Sequence, residues 1–307
     1  MIAKKKLPVL IAGLGFTLLV TGCGSVLATP GALIKPPAAA YVASDVNQTV
    51  LDEVNKHLPK GAKLVDPSEP AGSKAVQTVD MNGDGKDEIV ATYRTVEEDG
   101  TDGPAGILIL SDALSGYKEL INYKSEGYSV KFIKIAAITE KDKKDIVVAW
   151  SIGASIGNGV DTLTMKNDKV EKIASVYANK LDIEDLPDVK GQKDGIDEIA
   201  FWQHDTGDAY VIDVVRWNGE KFVSVPAVYP EYFKTVVPFY QEKVKEMPDA
   251  AFYWYYLADA QLKAAYYKDA IISAGKGMAI LENHPDYYPK VDKFKEIETK
   301  ASELSEK

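Results

Sequence analysis

The chain has 307 residues, with 36 basic against 46 acidic side chains for a formal net charge of −10, one cysteine and 46% apolar composition. That charge balance excludes a nucleic-acid-binding protein and a basic membrane-binding face, and a lone cysteine excludes intrachain disulfides. The length suffices for one larger domain and one small one.

In chain order, the first feature is an export signal. Lys4, Lys5 and Lys6 precede an apolar run over 7–20, interrupted only by Pro8, small residues and Thr17. The run is short for a membrane span and has the length of a signal-peptide core. It ends in VTGC, residues 20–23, which resembles the lipobox of bacterial lipoproteins. The resemblance implies that residues 1–22 are removed and that Cys23 is lipidated, anchoring the chain at the outer face of the bacterial cytoplasmic membrane. Several acyl chains on one residue give stable anchorage. Residues 23–43, rich in Pro and Ala, read as a tether.

A mainly β domain is expected over 44–229, opened by one helix over 46–58 with Val46, Val50, Leu51 and Val54 on one face. That helix is expected to cap an open sheet edge. The rest repeats itself: KDEIVATYR (86–94), KKDIVVAW (143–150) and GIDEIAFWQ (195–203) each carry an acidic residue before an apolar run with an aromatic near its end. Glu88, Asp145 and Glu198 are then equivalent, at offsets of 57 and 53 residues. Each copy precedes a second strand and a hairpin, turning near Ser115–Gly116, at Asn167–Asp168 and at Asn218–Gly219, the last a type I′ signal. Such units of short antiparallel strands are the mark of propeller blades or a related repeated sheet. Three fall short of a closed propeller, so either the ends assemble a fourth unit or the sheets form an open arc.

The stretch VDMNGDGKDEIV, 79–90, places Asp80, Asn82 and Asp84 on alternate positions ahead of Gly85 and Glu88. It resembles the calcium loops of FG-GAP/VCBS repeats, the integrin-type blades. The resemblance implies one structural calcium ion held by Asp80, Asn82, Asp84 and Glu88, with Lys86 as the main-chain ligand. Calcium is a hard cation that takes six to eight oxygens, and alternate side chains in a tight turn converge on one point. An EF-hand is excluded: its twelfth position is Ala91, and a strand follows instead of a helix. In the third copy Asp194, Gly195 and Glu198 are kept, but the first two ligand positions fall on Lys190 and Gln192, so an internal salt bridge is expected to replace the ion. The second copy, TEKDKKD, lacks the pattern. One metal site is expected.

GASIG, 153–157, matches the nucleophile-elbow expression G-x-S-x-G at Ser155, but the elbow needs a helix next, and NGVDTLTM reads as a strand. His57, His204 and His284 have no metal-ligand spacing.

From 230 to 307 the period becomes helical. EYFKTVVPFYQEKVKEM forms one helix, with Pro238 near a bend or start, and two more follow from Pro248–Asp249, breaking around 264–267. Trp254, Leu257, Ala258, Ala270 and Gly277 resemble the packing positions of a tetratricopeptide repeat, although Gln261 stands where tyrosine is usual and Pro285 comes late. A last helix supplies the polar cap such repeats need. The whole reads as a lipid-anchored, extracytoplasmic, non-catalytic binding or scaffolding module with a protein partner and no nucleic acid. The alternative is a cell-envelope serine hydrolase using Ser155.

Overall fold

The computed structural model describes residues 46–114, 116–153 and 156–306. The leader, Cys23, the tether, Ser115 and Ser155 lie outside the described residues. Among the described residues no helix is long and apolar enough to cross a membrane.

Helix α1 (Gln48–His57) starts at Asn47, whose side chain accepts the Val50 amide at 3.0 Å, satisfying one of the helix's orphan donors. Its apolar stripe of Val46, Val50, Leu51 and Val54 lies on Ile89, Ala91, Tyr93, Leu108 and Leu110. The helix therefore covers a sheet face, not a strand edge.

Three antiparallel meanders follow. Blade 1 contains β2 (Val76–Val79), β3 (Glu88–Val96), β4 (Asp102–Ala113) and β5 (Gly116–Lys124), with the short β1 (Lys63–Leu64) sharing an edge of β3 with β2. Blade 2 is β6 (Ser129–Ala136), β7 (Asp145–Gly153), β8 (Gly157–Lys166) and β9 (Lys169–Ala178). Blade 3 is β10 (Lys180–Glu184), β11 (Glu198–His204), β12 (Tyr210–Trp217) and β13 (Phe222–Ser224). The blades stack face to face as an open arc, with the ladders confined to each sheet.

Stacking explains why the strands read as continuous apolar runs: both faces are buried. Alternation along the second strand has the same phase in every blade. Residues one, three and five after the opening acid face backwards: Ile89, Ala91 and Tyr93 meet α1, while Ile146, Val148 and Trp150 meet blade 1. In blade 3, Ile199 and Phe201 meet blade 2. Trp202 stands out of phase with Tyr93 and Trp150. It sits one residue early, so the two-residue period turns it to the opposite face, toward the helices.

One hairpin keeps its expected two-residue turn and another departs from the turn chemistry expected of it. Asn167 and Asp168, both at positive φ (51° and 56°), close a two-residue type I′ turn between Lys166 and Lys169. Asn218–Gly219 does not. Only Gly219 has positive φ, at 97°. The Asn218 side chain instead accepts the amides of Glu220 and Lys221 at 3.0 and 2.9 Å, an Asx turn within a loop closed by the Trp217–Phe222 pair.

A 3-10 turn (Pro226–Val228) leads into α2 (Tyr229–Glu246), which starts with Pro230 in its first turn and continues past Pro238, so that this proline lies inside the helix and not at its start. With α3 (Ala251–Lys263) it covers the outward face of blade 3: Tyr232, Phe233, Val236, Tyr240, Tyr256 and Leu257 pack on Trp202, Tyr210, Ile212 and Val214. Trp202 Nε1 donates to the Tyr232 hydroxyl at 2.7 Å, and that hydroxyl donates to Asp182 at 2.5 Å. The Tyr210 amide donates to the Tyr240 hydroxyl, which donates back to the Tyr210 carbonyl. Helices α4 (Tyr267–Asn283) and α5 (Val291–Ser305) complete a second core around Ala258, Ala270, Ala274 and Phe294. Gly277 lets α5 approach, since a methyl group there would lie 2.1 Å from the Phe294 ring.

This interface makes stability sensitive to alkali. Burial raises the Tyr210 and Tyr255 hydroxyls to about 12 and pushes Tyr229, Tyr232, Tyr240 and Tyr256 higher still. A folded-state value above the unfolded one of about 10 gives stability that is complete below that pH and lost as pH rises through the folded values. The buried group should therefore ionise only together with loss of near-ultraviolet circular dichroism. Titration of all tyrosines with the dichroism intact would contradict this.

Candidate cation-binding turns

The three strand-opening acids share one structural task. Glu88, Asp145 and Glu198 are buried, and each carboxylate accepts the amide of the second residue beyond the preceding strand: Met81 at 2.9 Å, Ile138 at 3.1 Å and Leu186 at 2.9 Å. A charged acceptor strengthens such a bond roughly twofold over a neutral one. Met81, Ile138 and Leu186 are themselves buried, so every turn is held by one carboxylate and one apolar plug.

Blades 1 and 3 share more than this. Gly85 (φ 83°) donates its amide to Asp80 Oδ2 at 2.8 Å, and Gly195 (φ 87°) donates to Asp185 Oδ2 at 3.0 Å. The Lys86 amide donates to Asp84 Oδ1 at 2.8 Å, and the Ile196 amide to Asp194 Oδ1 at 3.0 Å. The counterpart of Asp80 is therefore Asp185, not Lys190. It was hidden because it lies thirteen residues before Glu198, whereas Asp80 lies eight before Glu88. The extra residues form their own Asx turn, in which Asp188 Oδ1 accepts the amides of Lys190 and Gln192 at 2.8 and 3.0 Å.

What neutralises the carboxylates differs. In blade 3, Arg216 of β12 donates to Asp194 Oδ2 at 2.6 Å and to Glu198 Oε1. The expected internal salt bridge exists, but its cation is Arg216, brought in across the sheet, rather than Lys190. Burial works against the guanidinium charge, yet its bonds to Glu198 and Asp194 outweigh this and raise its pKa. In blade 1, among the described residues, no ion pair reaches Asp80, Asp84 or Glu88. The Gly85 amide, with those of Gly83 and Asp84, holds the Asp80 carboxyl below its ordinary value. Burial, together with the charges of Asp84 and Asp80, pushes Glu88 up. In blade 2 the positions of Asp80 and Asp84 fall on Ala137 and Lys141. There Asp145 Oδ2 takes Thr139 through both amide and hydroxyl, at 2.7 and 2.8 Å. Blades 2 and 3 are joined at these turns, with the Ala137 amide donating to Asp197 Oδ2 at 2.7 Å.

The five residues expected to bind calcium thus lie on one turn with unequal commitments. Asp80 is spent on backbone amides, accepting Gly83 at 2.7 Å and Asp84 at 3.1 Å besides Gly85. Asn82 accepts the Asp84 amide at 2.9 Å, and Lys86 contributes its amide to Asp84. As placed, no three His, Cys, Asp or Glu side chains among the described residues converge as a metal cluster. The donor chemistry nonetheless fits a hard cation. Asp84 Oδ2 and Glu88 Oε1 are the atoms left over by the amide bonds the two turns share, and their counterparts in blade 3 hold a cation.

The Ser155 alternative lies outside the described residues, but its flanks do not: Gly153 ends β7 and Gly157 opens β8 opposite it. A strand follows where a nucleophile elbow needs a helix. Of the histidines, His204 bonds the Gly207 carbonyl at 2.8 Å and His284 stacks on Tyr287. Scanned against models of known families and against curated proteins, the chain matches neither a family model nor a curated relative.

Proposed function

We propose that this chain is a lipid-anchored extracytoplasmic lipoprotein, fixed through Cys23 to the outer face of the bacterial cytoplasmic membrane, whose blade arc is a non-catalytic binding or scaffolding module. One structural calcium ion belongs to the turn at 80–88, held by Asp80, Asn82, Asp84 and Glu88 with the carbonyl of Lys86. The observation that carries the metal assignment is the pairing of two like turns, of which one holds a guanidinium against Asp194 and Glu198 and the other has no ion-pair partner among the described residues. When bound, calcium would neutralise a carboxylate cluster and tie the end of β2 to the start of β3. The chain's own residues already pre-shape the turn through the amide bonds to Asp80.

A protein partner is supported by exposed apolar side chains on blade 2 and its flanking turns. Tyr128, Ile156 and Tyr177 are 56, 54 and 54% exposed and are the side chains this reading offers to such a partner. The anchoring part is tested by fractionating cells that express the full chain. Cys23→Ser should move it from the membrane to the soluble fraction and end incorporation of labelled palmitate; unchanged membrane retention and labelling would overturn the assignment. The calcium part is tested by metal removal, argued in the Discussion.

A further inference from the structure

Each blade sets a different residue across from its strand-opening acid. Continuing the register by one place, Ile89↔Leu110 puts Ser111 opposite Glu88, Ile146↔Leu163 puts Thr164 opposite Asp145, and Ile199↔Val215 puts Arg216 opposite Glu198. The number of acids also differs between the blades. Blade 2 has Ala137 and Lys141 where the others have aspartates, and its neutral Thr164 faces a single acid. Blades 1 and 3 each carry two aspartates and a buried glutamate and share three amide bonds, although Asp80 accepts two further amides and the blade 3 turn is five residues longer; across the sheet they differ in the facing residue.

We propose that the residue facing the strand-opening acid selects the counter-ion of its turn: Ser111, short and neutral, leaves blade 1 to a divalent cation, whereas Arg216 carries a tethered cation into blade 3 and makes that turn independent of metal. This rests on the calcium reading of the 80–88 turn and extends it to the rule that governs which blades need metal. The chemistry is an exchange of equivalents. A guanidinium presents a planar fork that binds two carboxylate oxygens at once, and Arg216 donates to Asp194 Oδ2 and Glu198 Oε1, with a longer contact to Asp194 Oδ1 at 3.5 Å. A hard divalent ion draws on the same kind of oxygens without a covalent tether. A serine at position 111 carries no charge with which to neutralise the acids.

The test measures bound calcium by equilibrium dialysis, and unfolding midpoints in EDTA and in millimolar calcium, on the full chain in detergent. The unaltered chain should bind one calcium. Arg216→Ser, which gives blade 3 the facing residue of blade 1, should bind a second, with a midpoint that falls in EDTA and recovers in calcium. Ser111→Arg, which gives blade 1 the facing residue of blade 3, should bind none and should unfold in EDTA no earlier than the unaltered chain. Arg216→Lys keeps the charge and should gain no calcium, which separates counter-ion loss from general damage. An Arg216→Ser chain that stays at one calcium and is not recovered by it would overturn the proposal, as would a folded Ser111→Arg chain that still binds. If Ser111→Arg does not fold, the Arg216→Ser arm decides alone. An unaltered chain that binds no calcium, beside an Arg216→Ser chain that binds one, would remove the blade 1 reading and uphold the exchange in blade 3.

Discussion

Arg216→Ala should destabilise the chain by about 3–5 kcal/mol, the range for removing one partner of a buried ion pair. The size follows from what stays behind. The Glu198 side chain is fully buried, while Arg216 is 25% exposed, so the variant strands an ionised carboxylate beside Asp194 with only the Leu186 amide for company. Arginine removal costs far less at an exposed pair, where double-mutant cycles give roughly 0.2–1 kcal/mol. A measured loss of that smaller size would show that water reaches Glu198 and that the triad is a surface ornament. Urea unfolding of Arg216→Ala and of Arg216→Ala with Glu198→Gln separates the two causes. If the stranded charge dominates, the double variant should recover most of the loss, because an amide can still accept from Leu186 without a charge to solvate. If lost packing of the arginine stem dominates, the double variant should be no better.

Calcium in excess should stabilise the chain by about 2.7 kcal/mol at 100 times its dissociation constant, reversibly with EDTA, and Asp84→Ala should remove the shift. The choice of residue matters. Asp80→Ala would delete a carboxylate that accepts three backbone amides and would unfold the turn with or without metal. Asp84 is exposed, and beyond one amide bond to Lys86 and a long contact with Asn82 at 3.4 Å it holds nothing in place. Its loss in EDTA should therefore be small, about 0.5–1.5 kcal/mol for a single hydrogen bond. A calcium shift that persists in Asp84→Ala would place the ion elsewhere. No shift in the unaltered chain would leave an Asx-rich turn stabilised by its own amides.

Much of this molecule is decided locally, and that part was legible in the sequence. Asn47 ahead of an amphipathic stripe specifies α1, small residues at helical spacing specify α3 and α4, and the Asp-Asn-Asp-Gly turn follows from the reach of short side chains to amides two and three residues on. The repeat of acid plus apolar strand also follows from local pattern, since each unit solves the same packing problem. What the tertiary structure decided depends on residues far apart in sequence. A strand buried on both faces carries no polar alternation, so which neighbour meets Trp150 and which meets Trp202 is settled only when the blades stack. Asp185 could not be matched to Asp80 by counting, because an extra turn intervenes. Arg216 reaches its acids by strand register, which no linear spacing encodes. The arc can stop at three blades because α1 covers one end face and α2 with α3 the other. Closure of a ring is one way to bury terminal sheets, and helices packed on those faces bury the same apolar surface without it.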